Sequence, residues 1–149
     1  MIPTKSRSEL QKISKAARIV AQALATFEER LRPGVRASDL DKVVDAFIRH
    51  AGGIPAFKGY QGYPAATCVS FNEAVVHGIP DTRAAREGDL VSVDIGVEVD
   101  GYFGDGAVTI PVGRVSDEAA KLVKIAKRAL QAGVAECRIG KRLYDISNA

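Results

Sequence analysis

Cysteine, histidine and tryptophan are scarce in this sequence. Its 149 residues include two cysteines, two histidines and no tryptophan. Cys68 and Cys137 lie far apart and form no CxxC pair, which argues against a disulfide framework and against a thiolate zinc site. A chain with so few cysteines is typical of a reducing compartment, and we expect a cytoplasmic protein.

Long apolar runs and a strong charge bias are also missing. No apolar stretch approaches the roughly 18 residues that a membrane span needs, and the polar start of the chain is unlike a signal peptide. The 21 basic and 18 acidic residues give a net charge of only +3, which is too small to indicate a nucleic-acid partner. We therefore expect no membrane association, and we expect residues 1–149 to form a single domain.

Three segments carry apolar residues on one helical face, which predicts three amphipathic helices. Each begins at a serine that can cap a helix and ends near glycine or proline. The predicted bounds are Ser6 or Ser8 to Pro33-Gly34, Ser38 to Gly52-Gly53, and Ser116 to Gly140. The apolar stripe predicted for the first helix is Leu10, Ile13, Ala17, Val20, Leu24, Phe27 and Leu31.

A β-hairpin is predicted for Leu90–Val99 and Tyr102–Val112, because Asp100-Gly101 between them favours a two-residue type I′ turn. Apolar residues alternate with polar ones along the first strand, so Asp94 falls on the face opposite the core. Helices and strands are mixed without a βαβ rhythm, which predicts the α+β class.

Two carboxylates share the polar face of this hairpin. The predicted register sets Asp94 opposite Ala107 and Asp105 opposite Gly96, so the aspartates are diagonal neighbours about 7 to 8 Å apart at the backbone. Carboxylates held this close repel each other unless a cation lies between them, which suits a metal site. The alternative is a pair of solvated surface residues. Small neighbours are expected to leave room around the carboxylates, namely Gly96, Gly104, Gly106 and Ala107.

Just upstream, His77 lies in a turn rich in glycine and proline, where it either bonds local backbone groups or serves a function. The segment Cys68–Pro80 around it resembles the signature of type I methionine aminopeptidases. Asp94-Ile95-Gly96 and Asp100–Asp105 resemble the metal-binding hairpin of the same family, and the opening Lys5–Ile13 is also similar. The resemblance implies the amino-terminal half of the pita-bread (creatinase/aminopeptidase) fold, an antiparallel sheet with packed helices. It also implies an enzyme that removes the initiator methionine from new polypeptides.

The resemblance further assigns roles to individual residues. Asp94 would be a terminal ligand and Asp105 a bridging ligand of two divalent ions, which are Co, Mn, Fe or Zn in the complete site. His77 would form a hydrogen bond beside the substrate amide. The methionine side chain would be lined by residues whose alternative role is ordinary loop packing, namely Phe57, Tyr60, Tyr63 and Cys68.

The family completes its site with a histidine and two glutamates from a second half, and none of those motifs occurs before Ala149. Two carboxylates alone predict weak metal binding, so we expect this chain alone to be weakly active or inactive. The alternatives are an inactive half or a peptide- or partner-binding module of the same fold, and another aminopeptidase or a prolidase.

The expected partners are the amino termini of nascent peptides. The ribosome is a further candidate partner, although the basic residues of the third helix are also typical of a solvated face. Self-association through the exposed surface of a half-fold is expected as well. The basic residues are Lys121, Lys124, Lys127 and Arg128.

Overall fold

The computed structural model describes residues 3–149, and its helices and strands fall into two units. The first unit ends at Arg114 and contains two helices and a four-stranded antiparallel sheet. The second unit, Val115–Ala149, contains two helices. This arrangement confirms the predicted α+β class, whereas the single domain over residues 1–149 stays a prediction.

Strand β3 is the centre of the sheet. It pairs with β4 along one edge and with β2 and β1 along the other, always antiparallel. A single 3₁₀ turn, Tyr60–Gly62, lies between β1 and β2. The elements in chain order are α1 (Arg7–Arg30), α2 (Ala37–His50), β1 (Ile54–Pro55), β2 (Thr67–Phe71), β3 (Leu90–Val99), β4 (Tyr102–Pro111), α3 (Asp117–Ala135) and α4 (Leu143–Asn148).

The hairpin formed by β3 and β4 confirms the prediction, apart from the last residue of β4. Asp100 and Gly101 have φ values of 51° and 79°, as a type I′ turn requires. One face of β3 is fully covered and belongs to a core to which α1 and α2 also contribute. The side chains on that face are Val91, Val93, Ile95, Val97 and Val99.

Helix α1 begins as predicted at Ser6, which forms a capping box with Glu9. The buried stripe differs from the predicted one at its start, since Leu10 is 52% exposed while Ala16 is fully buried. The reason is the close approach of α1 to the sheet: a Cβ atom at Gly104 would lie 2.4 Å from the Ala17 nitrogen. Small side chains therefore occupy part of the contact. The buried residues of α1 are Ala16, Ile19, Val20, Ala23 and Phe27.

The prediction that Ser38 caps helix α2 was wrong. In the described part of the chain the N-cap is Arg36, whose side chain makes no capping hydrogen bond. The first amides of α2 are satisfied by a distant segment instead: Ala37 N–H donates to the Arg83 carbonyl at 3.2 Å, and Ser38 N–H donates to the Asp81 carbonyl at 2.9 Å. The helix ends as predicted, with Gly52 at a φ of 80°.

In the second unit, α3 begins at the predicted cap Ser116, whose Oγ accepts from Ala119 N–H at 3.2 Å. Helix α4 was not predicted. Within Asp117–Ala135, all of which the structure describes, Gly133 alone is buried. Across residues 3–149, no helix combines the length and apolar character needed to cross a membrane.

Candidate functional site

The two aspartates occupy the predicted positions on the hairpin. Asp94 pairs with Ala107 and Gly96 with Asp105, so the carboxylates are diagonal neighbours on the face away from the core. On its other side Asp94 pairs with Cys68 of strand β2. The central strand thus places one carboxylate between a thiol-bearing strand and a second carboxylate.

Asp94 has an electrostatic environment that favours a cation. Its Oδ1 atom is buried and finds no hydrogen-bond partner among the described residues. Burial, followed by the charge of Asp105, raises the pKa of the Asp94 carboxyl above its ordinary value, while His77 opposes the shift. A divalent ion would supply the missing partner and offset the repulsion between the carboxylates, so these residues fit such an ion.

The predicted effect of the small residues around the carboxylates was only partly right. Gly96 does lie on this face, where an added Cβ would meet the Phe57 ring at 2.5 Å. Gly104 and Gly106 point to the opposite face, where an added Cβ would meet helix α1. These two glycines therefore allow α1 to pack closely and do not create space beside Asp94 and Asp105.

All seven predicted site residues line one cavity of about 680 Å³ within the first unit. Their roles as ligands and substrate contacts stay predictions, but the structure brings them together from β2, β3, β4 and the intervening loops. The seven are Phe57, Tyr60, Tyr63, Cys68, His77, Asp94 and Asp105.

Cys68 and Tyr63 are neighbouring residues in the lining of this cavity. Cys68 is 5% exposed, and burial raises the pKa of its thiol, so the neutral thiol dominates near neutral pH. The Tyr63 hydroxyl is oriented by two carbonyl oxygens, those of Thr67 at 3.1 Å and Gly78 at 3.0 Å. Burial is the main cause that raises the pKa of Tyr63, and the interaction with Cys68 is the next. The hydroxyl therefore remains a donor.

His77 adopts a φ of 60°, a left-handed conformation that is uncommon for residues other than glycine. The next residue holds this turn against β2: Val69 N–H donates to the Gly78 carbonyl at 2.8 Å, and Gly78 N–H donates to Ser70 Oγ at 3.1 Å. A Cβ at position 78 would lie 2.2 Å from the Val69 oxygen, so only glycine fits there. His77 is exposed and lines the cavity, next to this anchored backbone.

The described residues contain only part of a metal-binding ligand set. Across residues 3–149, no three His, Cys, Asp or Glu side chains are grouped so that they would hold an ion together. The roles of Asp94 and Asp105 as metal ligands therefore stay a prediction.

Several cavity-lining residues were missed by sequence reasoning. Gln61 and Pro64 belong to the loop before β2, and Ile79 follows the histidine turn with 57% of its surface exposed. Gln61 lies beside two predicted tyrosines and has a φ of 47°, but an isolated glutamine in a loop carries no sequence signal.

Comparison with known proteins gives one consistent result. A model of metallopeptidase family M24 matches residues 11–149. The chain is 45% identical to the methionine aminopeptidase of Clostridium acetobutylicum over 100% of this chain and 60% of the relative. It is 42% identical to methionine aminopeptidase 1 of Bacillus subtilis, again over 100% of this chain and 60% of the relative. The chain therefore spans about 60% of the length of these curated relatives.

Structural comparison agrees. The crystal structure of a methionine aminopeptidase from Thermotoga maritima superimposes with a TM-score of 0.96 at 41% identity. The match covers 99% of this chain and 60% of that one. These matches confirm the resemblance indicated by the sequence motifs, and with it the amino-terminal half of the pita-bread fold.

Proposed function

Because this chain belongs to metallopeptidase family M24, we propose that it forms the amino-terminal part of an active site that removes the first methionine from nascent polypeptides in the cytoplasm. Membership of a metallopeptidase family implies the use of divalent metal ions. The observation that carries the proposal is the single cavity that joins two diagonal aspartates to a buried thiol and aromatic side chains. Carboxylates suit a cation, and soft or aromatic groups suit a thioether.

In this proposal, Asp94 and Asp105 hold the divalent ions, which are Co, Mn, Fe or Zn. Such ions, when bound, supply Lewis-acid chemistry at the scissile carbonyl and activate water. Cys68 with its neutral thiol lies beside Asp94 on the neighbouring strand and presents a soft surface to the methionine sulfur.

The remaining side chains orient the substrate. Phe57, Tyr60 and Tyr63 surround the methionine side chain, and Phe57 is held against the backbone of Gly96. The His77 imidazole forms a hydrogen bond with the substrate amide, and the backbone of its turn is held against β2 through Gly78.

A second candidate function is a peptide-binding module without catalytic activity. It is favoured by one observation, that no three potential ligands are grouped within residues 3–149. Two carboxylates leave most coordination positions of an ion to water, so affinity and water activation would both be weak.

The two candidates are separated by cleavage of a Met-Ala-Ser peptide with added Co²⁺ or Mn²⁺. Methionine release by the chain and its loss in Asp105→Ala would support the peptidase proposal. A Glu98→Ala variant, which removes a carboxylate from the same face of β3, should retain activity. Peptide binding without cleavage that needs no added metal and is unchanged in Asp105→Ala would contradict a metal-dependent active site and support the binding module.

A further inference from the structure

One carboxylate on helix α2 accepts three hydrogen bonds from the start of strand β2. Asp41 Oδ1 accepts from the backbone N–H groups of Ala66 at 3.0 Å and Thr67 at 2.8 Å, and from the Thr67 hydroxyl at 2.8 Å. Ala66 and Thr67 are both fully buried. Without Asp41, these three buried donors would lose a partner that water cannot readily replace.

Ala66 and Thr67 lie where the loop of residues 56–66, which contributes to the cavity, joins strand β2. The next residue is Cys68, which lines the cavity, and the Thr67 carbonyl accepts from the Tyr63 hydroxyl at 3.1 Å. The position of both cavity residues therefore depends on the backbone at Ala66 and Thr67. Asp41 itself does not line the cavity.

The loop before this junction has few other ties to the sheet. Its hydrogen bonds are mostly local, such as Gly59 N–H to the Tyr63 carbonyl at 2.8 Å, and Gln61 and Gly62 have positive φ values. Pairing with β3 begins at Thr67. The contact from α2 thus fixes the last loop residue and the first strand residue at the same point.

We propose that Asp41 is a positioning residue, which fixes the start of β2 and thereby holds Cys68 and Tyr63 in the cavity wall. Its importance for methionine recognition rests on the proposed function above. The local geometry of β2 does not, so the two can be tested separately.

The two cysteines allow a direct experiment on the full chain. Cys68 is buried and Cys137 is exposed, so alkylation by iodoacetamide, followed by mass spectrometry, gives a Cys68 rate with an internal reference. Asp41→Ala should raise the rate at Cys68 relative to Cys137 by about tenfold, because three buried hydrogen bonds are lost and the strand start opens more often.

Two matched variants separate positioning from other effects. Asp41→Asn removes the charge but keeps the acceptor oxygen, so its Cys68 alkylation rate should remain close to that of the unmodified chain. Leu40→Ala, on the same helix and in the core, lowers global stability without touching the three hydrogen bonds. The two rates are compared at temperatures equally far below the thermal midpoint of each variant. If Leu40→Ala raises the Cys68 rate as much as Asp41→Ala does, Asp41 acts only on global stability and the proposal is overturned.

A folding failure of Asp41→Ala would not end the test. Thr67→Val removes only the hydroxyl donor while keeping the shape of the side chain, and should raise the Cys68 rate by about threefold. An unchanged Cys68 rate in Thr67→Val would overturn the proposal.

Added L-methionine distinguishes this inference from the proposed function. Protection of Cys68 by methionine in the unmodified chain, lost in Asp41→Ala, would support both. A faster Cys68 rate in Asp41→Ala without methionine protection in the unmodified chain would support positioning and contradict methionine binding. Methionine protection with an unchanged rate in Asp41→Ala would support methionine binding and overturn positioning.

Discussion

Single glycines on strand β4 determine how closely helix α1 packs onto the sheet. A Cβ at Gly104 would lie 2.4 Å from backbone atoms of Ala17, whereas one at Gly106 would lie 3.2 Å from the end of the Val20 side chain. The backbone atoms of Ala17 can shift less than the end of the Val20 side chain, so the contact at Gly104 is harder to relieve. We expect Gly104→Ala to lower the free energy of unfolding by about 1–3 kcal/mol in urea denaturation.

Gly106→Ala is the matched control, on the same strand and the same face. Because only a flexible methyl group must shift there, we expect its free energy of unfolding to change by less than about 1 kcal/mol. Equal losses in the two variants would show that the strand, rather than the close approach to α1, is sensitive to the substitution.

Residue identity also explains which parts of the site were predictable. Asp94 and Asp105 follow from the alternation of β3 and the turn at Asp100-Gly101, both of which are local signals. The orphaned Oδ1 of Asp94 and the anchor at Asp41 depend on partners distant in sequence. No local pattern reports such a contact, so sequence reasoning missed both.

At the scale of elements, the start of α1 carries a charge-dependent cap. Glu9 Oε2 accepts from Ser6 N–H at 2.7 Å, and Glu9 Oε1 accepts from the Tyr102 hydroxyl at 2.9 Å. The side-chain and backbone hydrogen bonds from Ser6, followed by the hydrogen bond from Tyr102, lower the pKa of Glu9 from 4.5 to about 2. The same residue thus caps the helix and ties it to β4.

The lowered pKa of Glu9 gives a pH dependence with a defined sign. The stabilisation is fully present above pH 4.5, where the unfolded chain is also ionised, and is lost as pH falls towards about 2. We expect Glu9→Gln to lower the thermal midpoint at pH 6, with the difference from the unmodified chain shrinking between pH 4.5 and 2. Thermal unfolding followed by circular dichroism measures the midpoints of the variant and of the unmodified chain at each pH. A difference that stays constant over this range would contradict the assignment.

Element boundaries show the same division between local and distant signals. Ser6 and Ser116 were predicted correctly because each cap bonds an amide three residues later. The start of α2 was misplaced at Ser38 because its first amides bond carbonyls of residues 81 and 83. A serine at the right spacing is no guide when a distant segment supplies the cap.

At the scale of the whole molecule, the two units differ in how much of each helix is buried. Five residues of α1 are buried, whereas in α3 Gly133 alone is. Most helical stability in proteins comes from packing, so α3 should open more readily. We expect amide hydrogen exchange, followed by mass spectrometry, to be faster in Asp117–Ala135 than in Arg7–Arg30. Equal protection would mean that another surface covers α3 in solution.

The most direct test of the account is metal binding by the two hairpin carboxylates. Titration of the chain with Mn²⁺, with unbound ion followed by electron paramagnetic resonance, should show weak binding that Asp94→Ala abolishes. Glu98→Ala, which removes a carboxylate from the same face of the same strand, should bind as the unmodified chain does. Unchanged binding in Asp94→Ala, or equal losses in both variants, would contradict a metal site at Asp94 and Asp105.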